Sequence, residues 1–177
     1  MIRKAVIPAA GMGTRFLPFA KAQPKEMLPI VDKPVIQYVI EETVEAGITD
    51  ILIIIGRGKR AIEEHFDRNF ELEEGLAEKG RLEELAAIRR ISNLADIHFV
   101  WQKELNGLGD AVYHARHHVG NEPFLLLLGD TLIQSRSAVP LCRRLMETYD
   151  RYGETVVALE SVDPEKDIQS VDKSECT

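Results

Sequence analysis

The sequence predicts an α/β protein in which helices cover both faces of a mostly parallel sheet, a Rossmann-like three-layer α/β/α arrangement. Short apolar runs at 5–8, 51–55 and 124–128 have the composition of strands buried on both faces. Amphipathic helical segments alternate with these runs along the chain. The 177 residues, 45% of them hydrophobic, are enough for one domain with a sizeable core.

The first half of the chain is predicted to contain two strands and four helices. The strand at 5–8 leads into a glycine-rich turn. A helix follows over 34–47, since proline suits its first turn and Gly47 suits its end. The run at 51–55 is the second strand. Helices are then expected at about 61–66, at 70–78 and, after a break at Gly80, at 82–91.

The second half is predicted to continue the alternation. Apolar residues alternate with polar or small ones over 97–101, which indicates a less buried strand. A helix at 110–118 leads to another core strand at 124–128, and a helix at 140–152 precedes a last strand at 155–159. These elements form one domain over 1–160. Residues 161–177 hold almost no apolar side chains, so we expect a poorly ordered polar tail.

Charge and cysteine content exclude several classes of protein. The net charge is −7, which argues against a basic nucleic-acid-binding surface. Residues 1–60 hold 9 Lys and Arg against 6 Asp and Glu, a net +3, so residues 61–177 carry −10. Two cysteines without metal-type spacing imply no disulfide framework and fit a cytoplasmic protein. No run approaches the roughly 18 apolar residues of a membrane span.

A glycine-rich turn, Gly11-Met12-Gly13-Thr14-Arg15, directly follows the first strand. Its glycines allow backbone N–H groups to approach a ligand, and successive N–H groups of this kind bind anions. Arg15 and Lys25 could neutralise phosphate charge. The turn is neither a Walker A motif nor a dinucleotide fingerprint, because no Gly-Lys-Ser/Thr follows and position 16 is Phe. Taken alone, it is equally compatible with an ordinary strand-to-loop connection.

Three spaced blocks together resemble the sugar-1-phosphate nucleotidyltransferases. They are the glycine turn at 11–15, Pro-Lys-Glu-Met-Leu-Pro at 24–29 and Asp-Lys-Pro at 32–34, and the resemblance extends from about residue 3 to 160. The sequences of the second block and of residues 56–67 resemble those of the bacterial branch of this family that uses UTP and glucose 1-phosphate. A thymidylyltransferase is the alternative. The resemblance implies a nucleotide-diphospho-sugar transferase fold, with glucose as the sugar.

The resemblance also implies roles for individual residues. Arg15 and Lys25 would act on the reacting phosphates as catalytic residues. Gln102 would read the uracil edge, since an amide both donates and accepts hydrogen bonds. Asp130 would hold Mg²⁺, which prefers carboxylate and phosphate oxygens. The nucleotide-binding set implied by the resemblance is Ala9, Ala10, Gly11, Gly13, Thr14, Glu26, Gln102 and Gly107.

Each of these residues also has a structural interpretation when it is considered alone. Gln102 is compatible with a surface polar residue, and Asp130 is compatible with a turn former or helix N-cap. Arg57, Lys59 and Arg60 either attract phosphate or form a solvated face. The candidate groups at 11–15, 102 and 130 nevertheless follow three predicted parallel strands. Ligands lie beyond the carboxyl ends of such strands, so we expect these groups to converge at one edge.

The implied reaction is uridylyl transfer, in which glucose 1-phosphate attacks the α-phosphorus of UTP and pyrophosphate leaves. The attacking phosphate is already an anion, so positioning and charge neutralisation suffice. After residues 156–159 the resemblance implies a sugar-binding Val-Glu-Lys-Pro-type block and, further on, a second metal-binding Asp, but both are missing, and from about Asp163 the sequence departs from the family. The chain is therefore expected to be C-terminally truncated, and the alternative function is an incomplete UTP/Mg-binding module. Exposed apolar surface predicts a homo-oligomer.

Overall fold

A computed structural model describes residues 1–133 and 137–159. Four parallel strands form its main sheet, in the order β5-β4-β1-β6. The strands are β1 (Lys4–Ala9), β4 (Asp50–Ile55), β5 (Asp96–Trp101) and β6 (Phe124–Leu126), and a short antiparallel ribbon joins β2 (Pro29–Ile30) to β3 (Lys33–Pro34). The predicted parallel sheet is confirmed.

Seven α-helices of the described residues connect or flank these strands. They are α1 (Val35–Glu45), α2 (Arg60–Phe66), α3 (Phe70–Glu78), α4 (Leu82–Ser92), α5 (Leu108–His114), α6 (Arg116–Val119) and α7 (Leu141–Tyr152). Most predicted helices agree within two residues. The helix predicted over 110–118 instead begins earlier and is divided at Ala115 into α5 and α6. No helix among the described residues is long and apolar enough to cross a membrane.

The two central strands bury side chains on both faces of the sheet. Ile51, Ile53 and Ile55 of β4 belong to one core cluster, which includes residues of α1, α2 and α7. Leu52 and Ile54 belong to a second cluster with residues of α5 and α6. Because successive side chains of a strand point to opposite faces, this division gives the three predicted layers.

Two predictions for the strands require correction. β6 is shorter than expected and lies at an edge of the sheet, so Leu126 and Leu128 remain 43% and 42% exposed. An unbroken apolar run therefore did not mean burial on both faces here. Residues 155–159 form no strand, and Val157 and Leu159 are exposed. The predicted polar tail at 161–177 lies outside the described residues.

Three tight 3₁₀ turns occupy the segment between β1 and the ribbon. They cover Thr14–Phe16, Phe19–Lys21 and Lys25–Met27. The first turn directly follows the glycine-rich loop, and the third contains Lys25 and Glu26. The chain thus returns to the carboxyl end of β1, which places two of the motifs at the same edge of the sheet.

Candidate nucleotide site

The glycine loop begins where β1 ends and contains a row of backbone donors without partners among the described residues. Ala9 and Ala10 are buried, whereas Gly11, Thr14 and Arg15 are exposed. Within the described part of the chain, the N–H groups from Met12 to Arg15 donate no hydrogen bond. The loop therefore presents consecutive backbone donors, the arrangement that binds anions.

Gly13 is required by both its backbone conformation and its surroundings. Its φ of +67° lies in the left-handed region, and a Cβ there would lie 3.2 Å from Cβ of Ala20 and from Cβ and Cδ of Lys25. Gly11 has no positive φ, and its Cβ would meet only Cε and Nζ of Lys25 at 3.9 Å. The conformational freedom predicted for both glycines is therefore required only at Gly13. Gly11 instead lies beside the Lys25 ammonium group.

Lys25 forms an ion pair with Asp130 across the site. The Nζ–Oδ2 distance is 2.6 Å, and the two side chains are 18% and 20% exposed. The carboxylate follows β6, and the ammonium extends from the third 3₁₀ turn, which Pro24 introduces. Two predicted site residues that lie 105 positions apart are therefore in direct contact.

Gly129 brings Asp130 close to β1. A Cβ at this position would lie 3.3 Å from Ile7 Cγ2, 3.4 Å from Glu26 Cγ and 3.6 Å from Ala9 Cβ. The chain after β6 therefore packs closely against β1, and a side chain at position 129 would have to displace the Ile7 methyl group slightly. A similar approach occurs at Gly56, where a Cβ would be 2.9 Å from the carbonyl oxygen of Ala10.

Glu26 contributes to the floor of the site through a buried ion pair. Its Oε2 accepts a hydrogen bond from Lys59 Nζ at 2.7 Å, and the side chains are 1% and 6% exposed. Burial raises the pKa of Glu26 above its usual value, an effect that the Lys59 ammonium opposes. Lys59 is therefore buried and paired with Glu26. Both predictions for this lysine, a solvated side chain and a cation that attracts phosphate, are wrong.

Gln102 lies at the carboxyl end of β5 and is 3% exposed. Its Nε2 donates to Asp110 Oδ2 at 2.7 Å and to the Gly107 carbonyl at 3.4 Å. Gly107 precedes α5 with a φ of +92°, a conformation that favours glycine. The structure thus places Gln102 beside Gly107, and the interpretation of Gln102 as a surface residue is wrong.

The carboxylate of Asp130 suits a magnesium ion that also binds phosphate. Mg²⁺ is commonly held by one or two protein carboxylates, with phosphate and water oxygens completing its shell. No group of three or more His, Cys, Asp or Glu within residues 1–133 and 137–159 could hold a metal alone. Asp130 is partly exposed beside the glycine loop. Its carboxylate therefore fits a Mg²⁺ ion whose remaining ligands are phosphate and water oxygens.

Three residues near the site were missed by the sequence analysis. Lys59 was grouped with the neighbouring cations Arg57 and Arg60, Gly56 was considered only within the block at 56–67, and Asp110 was treated only as a helix residue. A carboxylate eight positions after a glutamine carries no recognisable signal in a sequence. Gly56 had a weak signal, because a glycine directly after a buried strand often marks a close backbone approach.

Comparisons with known proteins identify the family of this chain. The family model for nucleotidyl transferases matches residues 4–167. The chain belongs to the nucleotidyl transferase family. Two relatives of this nucleotidyl transferase from Bacillus subtilis (strain 168) are UTP--glucose-1-phosphate uridylyltransferases: YngB is 60% identical over 164 residues and the other is 56% identical over 165. These alignments cover 93% of this chain.

Solved structures support the same relationship. The UTP-bound UGPase from Acinetobacter baumannii is 44% identical, with a TM-score of 0.83 over 86% of this nucleotidyl transferase and 54% of the neighbour. A UDP-glucose pyrophosphorylase complexed with UDP-glucose is 41% identical, with a TM-score of 0.80 over 94% and 60% of the two chains. The chain spans about half the length of its curated relatives, 54% and 56% of the two from B. subtilis.

Proposed function

We propose that this nucleotidyl transferase binds UTP with Mg²⁺ and serves uridylyl transfer to glucose 1-phosphate, which yields UDP-glucose and pyrophosphate. The observation that carries the proposal is the Lys25–Asp130 contact of 2.6 Å beside the glycine loop. This contact joins a cation that can neutralise phosphate charge to a carboxylate that can bind Mg²⁺. Both groups lie beside the loop whose N–H groups have no partner among the described residues. The names of the relatives supply the choice of nucleotide and sugar.

The proposed division of labour follows the positions of the side chains. Ala9, Ala10 and Gly11 border the nucleoside, and Gly13 and Thr14 direct backbone donors to the phosphates. Arg15 has no ion pair among the described residues, so its guanidinium is available to a phosphate. Glu26 stabilises the segment that carries Lys25 through its buried ion pair with Lys59. Gln102 and Gly107 border the base.

The chemical step is an in-line displacement at the α-phosphorus. A phosphate oxygen of glucose 1-phosphate forms the new bond to phosphorus, and the bond from that phosphorus to the bridging oxygen of the β-phosphate breaks. Pyrophosphate leaves with the bonding electrons, and no proton transfer is needed because the attacking oxygen is an anion. Lys25 and Arg15 hold the groups in line and offset their charge. Mg²⁺ held by Asp130 would neutralise phosphate charge.

Uridylyl transfer is favoured over thymidylyl transfer by the comparisons. The relatives at 56–60% identity are named for UTP and glucose 1-phosphate. A putative glucose-1-phosphate thymidylyltransferase from Bacillus anthracis is 22% identical, with a TM-score of 0.63, so it supports the fold alone. A cytoplasmic location and a homo-oligomeric state are part of the proposal, and cell fractionation tests the first.

The test is product formation from UTP, Mg²⁺ and glucose 1-phosphate by protein shown to be folded by circular dichroism. UDP-glucose and pyrophosphate should appear together, and both should be lost in Lys25→Ala and Asp130→Ala. Lys79→Ala is the matched control, because Lys79 is exposed at the end of α3. A folded chain that binds UTP without forming product would support the incomplete UTP/Mg-binding module. A folded chain that does not bind UTP would refute both functions.

A further inference from the structure

The side chain of Gln102 has a fixed orientation, and this observation leads to an inference that rests on the proposed UTP binding. Its backbone N–H donates to the Ile55 carbonyl at 2.8 Å, which anchors the residue at the end of β5. Its Nε2 donates to Asp110 Oδ2 at 2.7 Å and, more weakly, to the Gly107 carbonyl at 3.4 Å. Both partners of the amide nitrogen are therefore oxygen acceptors.

Two acceptor partners allow only one orientation of the amide group. A carbonyl oxygen and an ionised carboxylate accept hydrogen bonds and donate none. Rotating the amide by 180° would replace the 2.7 Å hydrogen bond with a contact between Gln102 Oε1 and Asp110 Oδ2. Such a contact pairs two partly or fully negative oxygens in a partly buried place, which is unfavourable. Asp110 thereby fixes Oε1 on the side of the amide away from α5.

Asp110 is itself held by the first turns of α5. It is the third residue of the helix, where a carboxylate is stabilised by the N-terminal end of the helix dipole. His114, one turn later, has its Nδ1 2.8 Å from the Asp110 carbonyl and 3.7 Å from Oδ2. The helix therefore positions the backbone of Asp110, and the short contact of its carboxylate, 2.7 Å, is with Gln102 Nε2.

We propose that Asp110 determines the nucleobase specificity of the site by locking the Gln102 amide. In the locked orientation Oε1 accepts from the N3–H of uracil, and the N–H that is only weakly bound to Gly107 donates to a uracil carbonyl. Cytosine presents the opposite pattern, with an unprotonated N3 acceptor and an amino donor at C4. It would require the rotated amide, which Asp110 opposes. The site thus selects pyrimidines that carry N3–H and rejects CTP.

The test is calorimetric titration of the full chain with UTP and with CTP, each in the presence of Mg²⁺. Wild type should bind UTP more tightly than CTP. In Asp110→Asn the introduced amide can turn its own NH₂ toward Gln102 Oε1, so both orientations become acceptable. The ratio of UTP to CTP affinity should fall by about tenfold or more, mainly because CTP binding improves. Asp110→Ala should lower the ratio in the same direction, since it removes the acceptor.

Glu104→Gln is the matched control, because Glu104 is an exposed carboxylate in the loop between β5 and α5. It should leave the ratio unchanged. If either Asp110 variant, folded by circular dichroism, weakens both nucleotides equally, Asp110 has only a structural role and the inference is wrong. A wild-type chain that binds UTP and CTP equally also overturns it. A wild-type chain that binds neither refutes the proposed function itself.

Discussion

At the scale of single residues, the site depends on small side chains as much as on charged ones. Gly13 permits the loop to turn beside Lys25, and Gly129 permits Asp130 to approach β1. The ion pair of Lys25 with Asp130 follows from these two close approaches. Gly129 directly precedes Asp130, whereas Gly13 lies twelve positions before Lys25, so only the packing shows which atoms each glycine leaves room for.

Gly13→Ala should impair nucleotide binding more than it impairs folding. The φ of +67° costs an L-residue roughly 1–2 kcal/mol, and the added Cβ would also press on the Lys25 side chain at 3.2 Å. Gly153→Ala is the matched control, because Gly153 has the same left-handed conformation with a φ of +67°, but no atom lies within 4 Å of the added Cβ. Urea unfolding should show similar losses of stability for both variants, whereas UTP titration should show weaker binding only for Gly13→Ala. Equal affinities for UTP in the two variants would contradict this prediction.

At the scale of elements, buried ion pairs join segments that the sheet alone does not connect. Lys59 precedes α2, and Glu26 lies in the third 3₁₀ turn, so their contact ties α2 to the floor of the site. On the outer layer, Glu73 of α3 accepts hydrogen bonds from Arg68 and from Arg89 of α4. The helices outside the core are therefore positioned by charge as well as by apolar packing.

Removing one partner of the Glu26–Lys59 pair should cost more stability than removing both. Lys59→Met leaves a carboxylate buried without its ammonium, at a cost of about 3–5 kcal/mol. Glu26→Met combined with Lys59→Met replaces the pair with apolar groups of similar size, which is often close to neutral. Chemical unfolding of the single and double variants measures both values. A double variant as unstable as the sum of the single variants would contradict the prediction.

The Glu73 contacts should make part of the stability depend on pH in the acidic range. Hydrogen bonds from Arg68 and Arg89 lower the pKa of Glu73 from 4.5 to about 2. Since the pKa is lower in the folded state, the stabilisation is fully present above pH 4.5 and is lost as the pH falls toward about 2. The difference in unfolding free energy between wild type and Glu73→Gln should therefore be constant near neutrality and shrink below pH 4.5.

Glu84→Gln is the control for this pH dependence. Glu84 pairs with Arg81 at 2.8 Å, but both side chains are about half exposed, so solvent screens the pair. Its variant should differ little from wild type at any pH. A Glu73→Gln variant whose loss of stability does not change between pH 7 and about pH 2 would show that the carboxylate acts through packing instead of charge.

At the scale of the whole molecule, both edge strands of the sheet leave apolar side chains exposed. Among the described residues β5 pairs only with β4 and β6 only with β1, and Trp101 of β5 is 49% exposed. A groove of about 820 Å³ lies between β6 and α7 and is bordered by residues 153–158. Leu126 and Leu128 remain more than two-fifths exposed there. Apolar surface of this kind favours association.

We therefore expect the isolated chain to self-associate through the face formed by β6 and α7. Leu128→Lys should shift the sedimentation coefficient in analytical ultracentrifugation toward that of the monomer, because a charge on this face must lose its water on association. Leu82→Lys is the control, since Leu82 is 66% exposed on α4. A wild-type chain that sediments as a stable monomer would refute the prediction.

The sequence by itself determined most of the elements, the parallel sheet and the edge at which the predicted site residues lie. Apolar runs, helical periodicity and flanking glycines are local properties, and parallel strands bring their carboxyl ends together wherever the intervening residues lie. The tertiary structure decided which charged groups meet. Lys59 could be solvated or paired, and only the position of Glu26 across the core distinguishes the two. Gln102 could face either way until Asp110 fixed it, because hydrogen-bond partners are set by packing and not by spacing in the chain.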